Sequence, residues 1–186
     1  AARPGGIPEG YVPFVTASVL AAQLALLAIY LGSTIVRTLV RGYTITMFET
    51  AQCFAAFLIC LGGVLRVYQG DRVAATAAGL FLLLCGAACY SIAYLVLERR
   101  DGLHRNFHIY SLFALVLVFS GSGVLLTDVP LAALWGTAGV AGIWLGIRTG
   151  KETLEWHGLV YLLFLAVFSG LASWCGARLL SLEMRW

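Results

Sequence analysis

Two histidines and one glutamate occupy matching positions in three apolar stretches of the sequence. Phe-His at 107–108 is followed, eleven residues after the histidine, by Phe-Ser-Gly at 119–121. Trp-His at 156–157 is followed at the same interval by Phe-Ser-Gly at 168–170. Glu49 precedes Gly62 by thirteen residues, and the same interval separates each histidine from the glycine of its own stretch. The pattern predicts three related helix starts, each carrying a side chain that can bind a ligand.

The chemistry open to these residues is metal or cofactor binding. Glu49, His108 and His157 could together hold a divalent metal if the three stretches pack around a common axis. One imidazole could instead be the axial ligand of a haem or chlorophyll-type ring, a tetrapyrrole. The simpler interpretation is that Phe107 and Trp156 anchor helix ends at headgroup depth, with their polar neighbours facing water. The histidine spacing matches no closed signature such as HExxH.

The composition places these stretches in a membrane protein. Hydrophobic residues make up 61% of the 186 residues and charged residues 11%, with a mean hydropathy of +0.91. Soluble domains are about 45–50% apolar and about 25% charged. The net charge of +3 is small and scattered, which argues against nucleic acid as a partner. The expected partners are the lipid bilayer and other membrane subunits.

Six uncharged apolar runs predict the helices that would cross the membrane. They are Tyr11–Val36, Thr50–Leu65, Val73–Leu97, Ile109–Thr127, Val129–Ile147 and Gly158–Ala177. A hydrocarbon core of about 30 Å needs about 20 helical residues, and the second run becomes long enough once Phe48 and Arg66 extend it. The runs lack the period-2 alternation of strands. We expect an all-α fold, a polytopic membrane bundle of six transmembrane helices.

The matching stretches also predict how the six helices are organised. We expect three tandem hairpins at about 11–66, 73–127 and 129–178 within a transmembrane domain at 11–178, between an extramembrane segment at 1–10 and a tail at 179–186. Seven of the twelve basic residues fall in the first, third and fifth connectors. The positive-inside rule then places these connectors in the cytoplasm and both termini outside, in what we expect to be a bacterial inner membrane.

Capping signals mark several predicted helix starts. Thr46 with Glu49, and Thr149 with Glu152, have the capping-box spacing. Asp128 precedes a proline by two residues and is a predicted N-cap. The Gly-Asp pair at 70–71 predicts a tight turn between the second and third helices.

Small residues predict where helices pack closely. Gly142 and Gly146 form a GxxxG pattern, which permits close backbone approach between helices in lipid. All five cysteines lie within apolar runs, where we expect small packing residues rather than disulfides or a thiolate metal site.

The polar residues inside the apolar runs limit the functions that the sequence allows. No ionisable residue lies near the middle of a predicted span, and no catalytic motif is recognisable. The leading hypothesis is a non-enzymatic scaffold, accessory subunit or membrane-sensing module of a larger assembly. A first alternative is a small-solute channel or carrier lined by Gln23, Tyr90 and Thr137. A second alternative is a membrane protein that binds a haem, chlorophyll-type ring or metal through His108 and His157.

Overall fold

The regular structure of the described residues is entirely helical. The computed structural model describes residues 16–68, 70–99 and 104–183. The helices are α1 (Thr16–Arg41), α2 (Met47–Tyr68), α3 (Arg72–Ser91), α4 (His104–Leu125), α5 (Asp128–Thr149), α6 (Glu152–Phe168) and α7 (Leu171–Glu183), and a π-helical segment at Ile92–Leu97 continues α3. The predicted all-α class is therefore confirmed. The expected N-terminal segment at 1–10 lies outside the described residues, and the first part of the expected tail belongs to α7.

Five of these helices are long and apolar enough to cross a membrane. They are α1, α2, α3 with its π-helical continuation, α4 and α5. The sixth predicted span is wrong as a continuous helix, because α6 starts at Glu152 and the chain bends by 71° between α6 and α7. Gly170 at the break has a φ of +76°, a left-handed conformation that ends a helix. α6 and α7 pass the same length and hydropathy test only when the two helices are taken together.

Consecutive helices pack in pairs, and the closest pair is held by glycines. α1 packs mainly on α2, α3 on α4 and α5 on α6. Between α5 and α6 the backbones meet at a glycine seam, Gly139, Gly142, Gly146 and Gly158. A Cβ added to Gly158 would lie 2.6 Å from the carbonyl oxygen of Gly139 and 2.8 Å from the backbone nitrogen of Ile143. The predicted GxxxG contact is confirmed, since Gly142 and Gly146 both face α6.

The α3–α4 pair also closes through glycines, but at the opposite end of its second helix. A Cβ on Gly121 of α4 would lie 2.8 Å from the carbonyl oxygen of Gly79 and 2.9 Å from the backbone nitrogen of Leu83. Gly121 and Gly170 are the two glycines of the repeated Phe-Ser-Gly motif. One lies inside a helix contact and the other ends a helix, so the repeated sequence has two different structural roles.

The α1–α2 pair uses polar contacts where the other pairs use backbone approach. The amide of Gln23 occupies the space beside Gly63, where its Oε1 lies 1.7 Å from the position that a Cβ would take. At the end where α1 meets α2, Arg37 forms an ion pair with Glu49. Glu49 also accepts a hydrogen bond from the backbone nitrogen of Thr46 at 2.8 Å, while the Thr46 hydroxyl accepts one from the Glu49 nitrogen at 3.2 Å. The first predicted capping box is therefore confirmed.

The other capping signals had mixed outcomes. Asp71 caps α3 by accepting a hydrogen bond from the nitrogen of Ala74 at 3.0 Å, and its backbone takes part in the predicted tight turn. The second capping box is wrong, because Thr149 is the last residue of α5 and its hydroxyl donates to the carbonyl of Leu145. Asp128 is the first residue of α5 rather than its N-cap, and no side-chain cap bond is formed there.

A buried asparagine that the sequence patterns did not single out joins the first connector to α4. Asn106 is fully buried, and its Oδ1 accepts a hydrogen bond from the nitrogen of Ile45 at 2.8 Å. Its Nδ2 donates to the carbonyl of Tyr43 at 2.9 Å. The amide therefore satisfies two backbone groups of the connector at 42–46, which fixes this connector against the start of α4.

We predict that Gly158→Ala loosens the α5–α6 pair. The new methyl group would overlap backbone atoms that cannot rotate away, so we expect a loss of about 1–3 kcal/mol in the free energy of unfolding. The matched control is Gly123→Ala, because no atom lies within 4 Å of a Cβ at Gly123. Detergent-titrated unfolding followed by circular dichroism measures both. Equal unfolding curves for the two variants would contradict the glycine seam.

We also predict that Asn106→Ala releases the first connector. Two backbone groups would lose their partner, at a cost of about 1–3 kcal/mol, and trypsin should cleave the purified protein faster after Arg41. Ser120→Ala is the control, since the Ser120 hydroxyl donates to the carbonyl of Val116 one turn earlier. An unchanged cleavage rate in Asn106→Ala would show that the connector is held by other contacts.

Candidate functional site

The structure places the three predicted ligand residues in three different environments. Glu49 is engaged in its capping box and in its ion pair with Arg37. His108 is exposed near the start of α4, with its ring 5.4 Å from that of Phe107. His157 is only 8% exposed, in the second turn of α6. Within residues 16–68, 70–99 and 104–183, no group of three His, Cys, Asp or Glu residues could hold a metal ion, so the structure does not assemble the predicted metal triad.

The buried His157 has a specific partner across the helix pairs. The hydroxyl of Tyr90 on α3 lies 3.0 Å from Nδ1 of His157, and the two rings meet edge to face at 5.8 Å. The side chain of Tyr161, one turn after His157, also lies close to that of Tyr90. Three polar side chains thus form a small network inside the contact between the second and third helix pairs, where a polar group left unpaired would be costly.

The network continues along the π-helical segment that follows α3. Tyr94 stacks on Tyr90 at 6.1 Å, and the backbone nitrogen of Glu98 donates to the carbonyl of Ala93, five residues earlier, at 3.0 Å. The Glu98 carboxylate pairs with Nζ of Lys151 at 2.7 Å, beside the start of α6. We call Tyr90, Tyr94, Glu98, Lys151 and His157 the polar joint. π-Helical turns are rare and are frequent at functional sites.

The polar joint is the contact that links the third helix pair to α3. α5 and α6 contact the earlier helices mainly through α4, so few other contacts set their distance from α3. The Lys151–Glu98 pair is about one third exposed on each side chain, and such pairs contribute about 0–1 kcal/mol. The hydrogen bond between Tyr90 and the buried His157 is less accessible to water and is therefore the more specific contact.

A cleft lies at the opposite end of the same contact between helix pairs. It encloses about 530 Å³ and is lined by α2, α4, α5 and α6. The residues that line it are Leu61, Leu65, Tyr68, Phe119, Ser120, Gly123, Val124, Leu126, Thr127, Asp128, Leu131, Trp135, Phe164 and Phe168. The cleft is therefore apolar and aromatic along most of its wall, with a few polar groups near the ends of α4 and α5.

The aromatic wall of the cleft is held firmly in place. Phe119 stacks on Tyr161 with ring centroids 4.5 Å apart, and it contacts Trp135 at 4.7 Å and Phe164 at 4.9 Å. The indole nitrogen of Trp135 donates to the hydroxyl of Ser122 at 3.1 Å. Offset and edge contacts of this kind contribute about 0.5–1.5 kcal/mol per pair beyond burial, so this side of the cleft is a preformed surface.

The two predicted histidine ligands lie away from the cleft and the grooves of the described residues. Tyr90 does orient His157 through Nδ1, as partners of ligating histidines do. A macrocycle also needs a flat cavity beside the ligand, yet His157 is buried in the contact with α3. Neither His108 nor His157 lines the cleft or the two grooves that contain Gln23 and Thr137.

The three residues of the predicted solute path are not brought together. Gln23 lines a groove between α1 and α2, and Thr137 lines another between α5 and α6. Tyr90 lies in the polar joint. The Thr137 hydroxyl donates to carbonyls of its own helix, while Oε1 of Gln23 is buried without a hydrogen-bond partner among the described residues.

Comparison with known proteins does not assign this protein to a class, so its class is defined by its fold alone. No family model, no curated protein and no solved structure matches the chain. The fold defines an all-α protein with several helices able to cross a membrane. The cleft and the polar joint are the features that distinguish it from a generic helical bundle.

We predict an energetic coupling between Tyr90 and His157. In a double-mutant cycle with Tyr90→Phe and His157→Phe, we expect a coupling of about 0.6 kcal/mol, the average measured for hydrogen bonds between membrane helices, for which the maximum is about 1.7 kcal/mol. Detergent-titrated unfolding provides the four free energies. Pairing Thr137→Ala with His157→Phe is the control and should show additive effects. Additive effects for Tyr90 and His157 would mean that their contact does not stabilise the joint.

Proposed function

We propose that this protein is a non-catalytic six-span membrane protein built from three tandem hairpins, which acts as an accessory or scaffolding subunit of a larger membrane assembly. The observation that supports this proposal is the preformed apolar cleft between the hairpins. The walls of the cleft come from α2, α4, α5 and α6, and we expect the cleft to receive a neighbouring membrane helix. Its partner would be an apolar transmembrane segment of another subunit.

The physical argument rests on how helices associate in lipid. Lipid tails are as apolar as leucine, so helices gain nothing from leaving water and associate through close packing and interhelical hydrogen bonds. A rigid aromatic wall offers a partner helix more simultaneous contacts than mobile acyl chains make with it. Phe119 and Trp135 provide such a wall, and their ring contacts hold it in shape without a partner.

A glycine in the cleft allows the site to be blocked without disturbing the fold. Gly123 lines the cleft, and no atom lies within 4 Å of a Cβ added there. Gly123→Phe should therefore fill the cleft while the helix pairs stay packed. Gly62→Phe is the matched control, because Gly62 is equally open and lies in the separate groove that contains Gln23.

We predict that a photo-reactive residue at Leu65 crosslinks the protein to a partner subunit in native membranes. Leu65 lines the cleft and is 61% exposed, whereas Leu84 on α3 is 70% exposed and lies outside the cleft. A discrete crosslinked product at Leu65, absent at Leu84 and lost in Gly123→Phe, is the expected result, with Gly62→Phe retaining it. Similar products at both positions, or an undiminished product in Gly123→Phe, would contradict the proposal. A specific solute flux in liposomes that contain the purified protein would favour the channel alternative.

A further inference from the structure

The last described helix leaves the bundle as soon as α6 ends. α7 meets α6 at an angle of 71° across Ser169 and Gly170. Its main packing partner is α6, and its described side chains are exposed or half-exposed along the helix. α7 therefore adds little to the packing of the bundle, and its exposed side chains can contact something other than the bundle.

α6 alone approaches the length that a membrane span needs. α6 has 17 residues, which at about 1.5 Å per residue span about 25 Å. This length is at the lower end of the range for a transmembrane helix, about 17–25 residues. The first turn of α6 carries Glu152 and Glu155 beside the Lys151–Glu98 pair, which marks one water-facing end. The break at Ser169 then falls close to the other face of the bilayer.

One face of α7 carries the groups that suit a membrane surface. Leu171, Trp174, Cys175 and Arg178 have the spacing i, i+3, i+4 and i+7, so they lie on the same face. Leu171 is 53% exposed and Trp174 is 59% exposed. The guanidinium of Arg178 lies 5.6 Å from the centre of the Trp174 ring. Tryptophan and basic residues are enriched where a membrane meets water.

We propose that α7 is an interfacial helix that lies along the surface of the bilayer that α6 crosses. Leu171, Trp174 and Cys175 contact the boundary between acyl chains and headgroups, and Arg178 reaches the lipid phosphates, which a guanidinium binds through paired hydrogen bonds. Transmembrane helices tilt by about 20°, so the bend of 71° brings α7 close to the membrane plane. The proposal requires that α6 crosses the membrane, but it does not depend on the docking role of the cleft.

The native thiol of Cys175 allows the depth of α7 to be measured. It is the exposed cysteine, whereas Cys53, Cys60 and Cys89 are buried and Cys85 is half-buried. The full chain with these four cysteines replaced by alanine is spin-labelled at Cys175 and reconstituted in vesicles of phosphatidylethanolamine and phosphatidylglycerol. Paramagnetic relaxation by oxygen and by a water-soluble nickel complex then reports the depth of the label.

Two further labels make the experiment decisive. Leu163→Cys on α6 is 62% exposed as leucine and should lie deep, accessible to oxygen. Ser173→Cys lies on the other side of α7 and should be several-fold more accessible to the nickel complex than Cys175. We expect Cys175 at a shallow depth, between the two. A Cys175 label as deep as the Leu163→Cys label would mean that α7 is part of a broken span. Equal accessibility of positions 173 and 175 to the nickel complex would mean that α7 lies in water. Either result overturns the proposal.

The unsubstituted protein provides a second measurement if the alanine replacements prevent folding. A limiting amount of a thiol-reactive spin label should modify Cys175 first, because the cysteines of α2 and α3 are buried or half-buried. Mass spectrometry identifies the labelled residue. A shallow depth for this label again supports the interfacial helix, and a label at the bilayer centre or in bulk water overturns it.

Discussion

The fold depends on close backbone approach between paired helices. A membrane provides no hydrophobic gain for helix association, so the pairs must be held by packing and by hydrogen bonds. Four glycines bring α5 and α6 so close that a single methyl group at Gly158 would overlap backbone atoms of the neighbouring helix. α3 and α4 use Gly79 and Gly121 in the same way. Because the two helices of each pair pack against each other, fewer contacts are needed between the pairs. The cleft and the polar joint both lie between pairs.

The polar joint shows how a few polar groups can orient one helix pair against another. His157 is buried against the half-buried Tyr90, and each polar group would be costly without the other because lipid offers no replacement hydrogen bonds. The ion pair of Glu98 and Lys151 closes the joint at its more exposed end. At the far end of the same contact, Phe119 of α4 packs on Trp135, Tyr161 and Phe164, and the cleft lies beside these rings. The third helix pair is thus held by polar contacts at one end and by aromatic contacts beside the cleft at the other.

The repeated Phe-Ser-Gly motif shows the limit of reading structure from a local pattern. At 119–121 the motif lies inside α4, and its glycine contacts α3. At 168–170 the motif ends α6, and its glycine takes a left-handed conformation. Both glycines permit either outcome, since the residue has no Cβ. The outcome follows from the neighbours: α3 lies against Gly121 through its own glycine, whereas near Gly170 the closest atom to an added Cβ is Oγ of Ser173, at 3.8 Å.

The sequence by itself determined the helical class, most helix positions, the GxxxG contact and the first capping box, because hydropathy, glycine spacing and capping depend on residues close together in the chain. Only the tertiary structure decided that His157 meets Tyr90 rather than Glu49 and His108, and that Asn106 holds a connector 61 residues away in sequence. Helix rotation sets which side chains face one another between pairs, and an apolar sequence with little amphipathic contrast does not specify that rotation. For the same reason the cleft, which exists only between helix pairs, could not be read from any one segment.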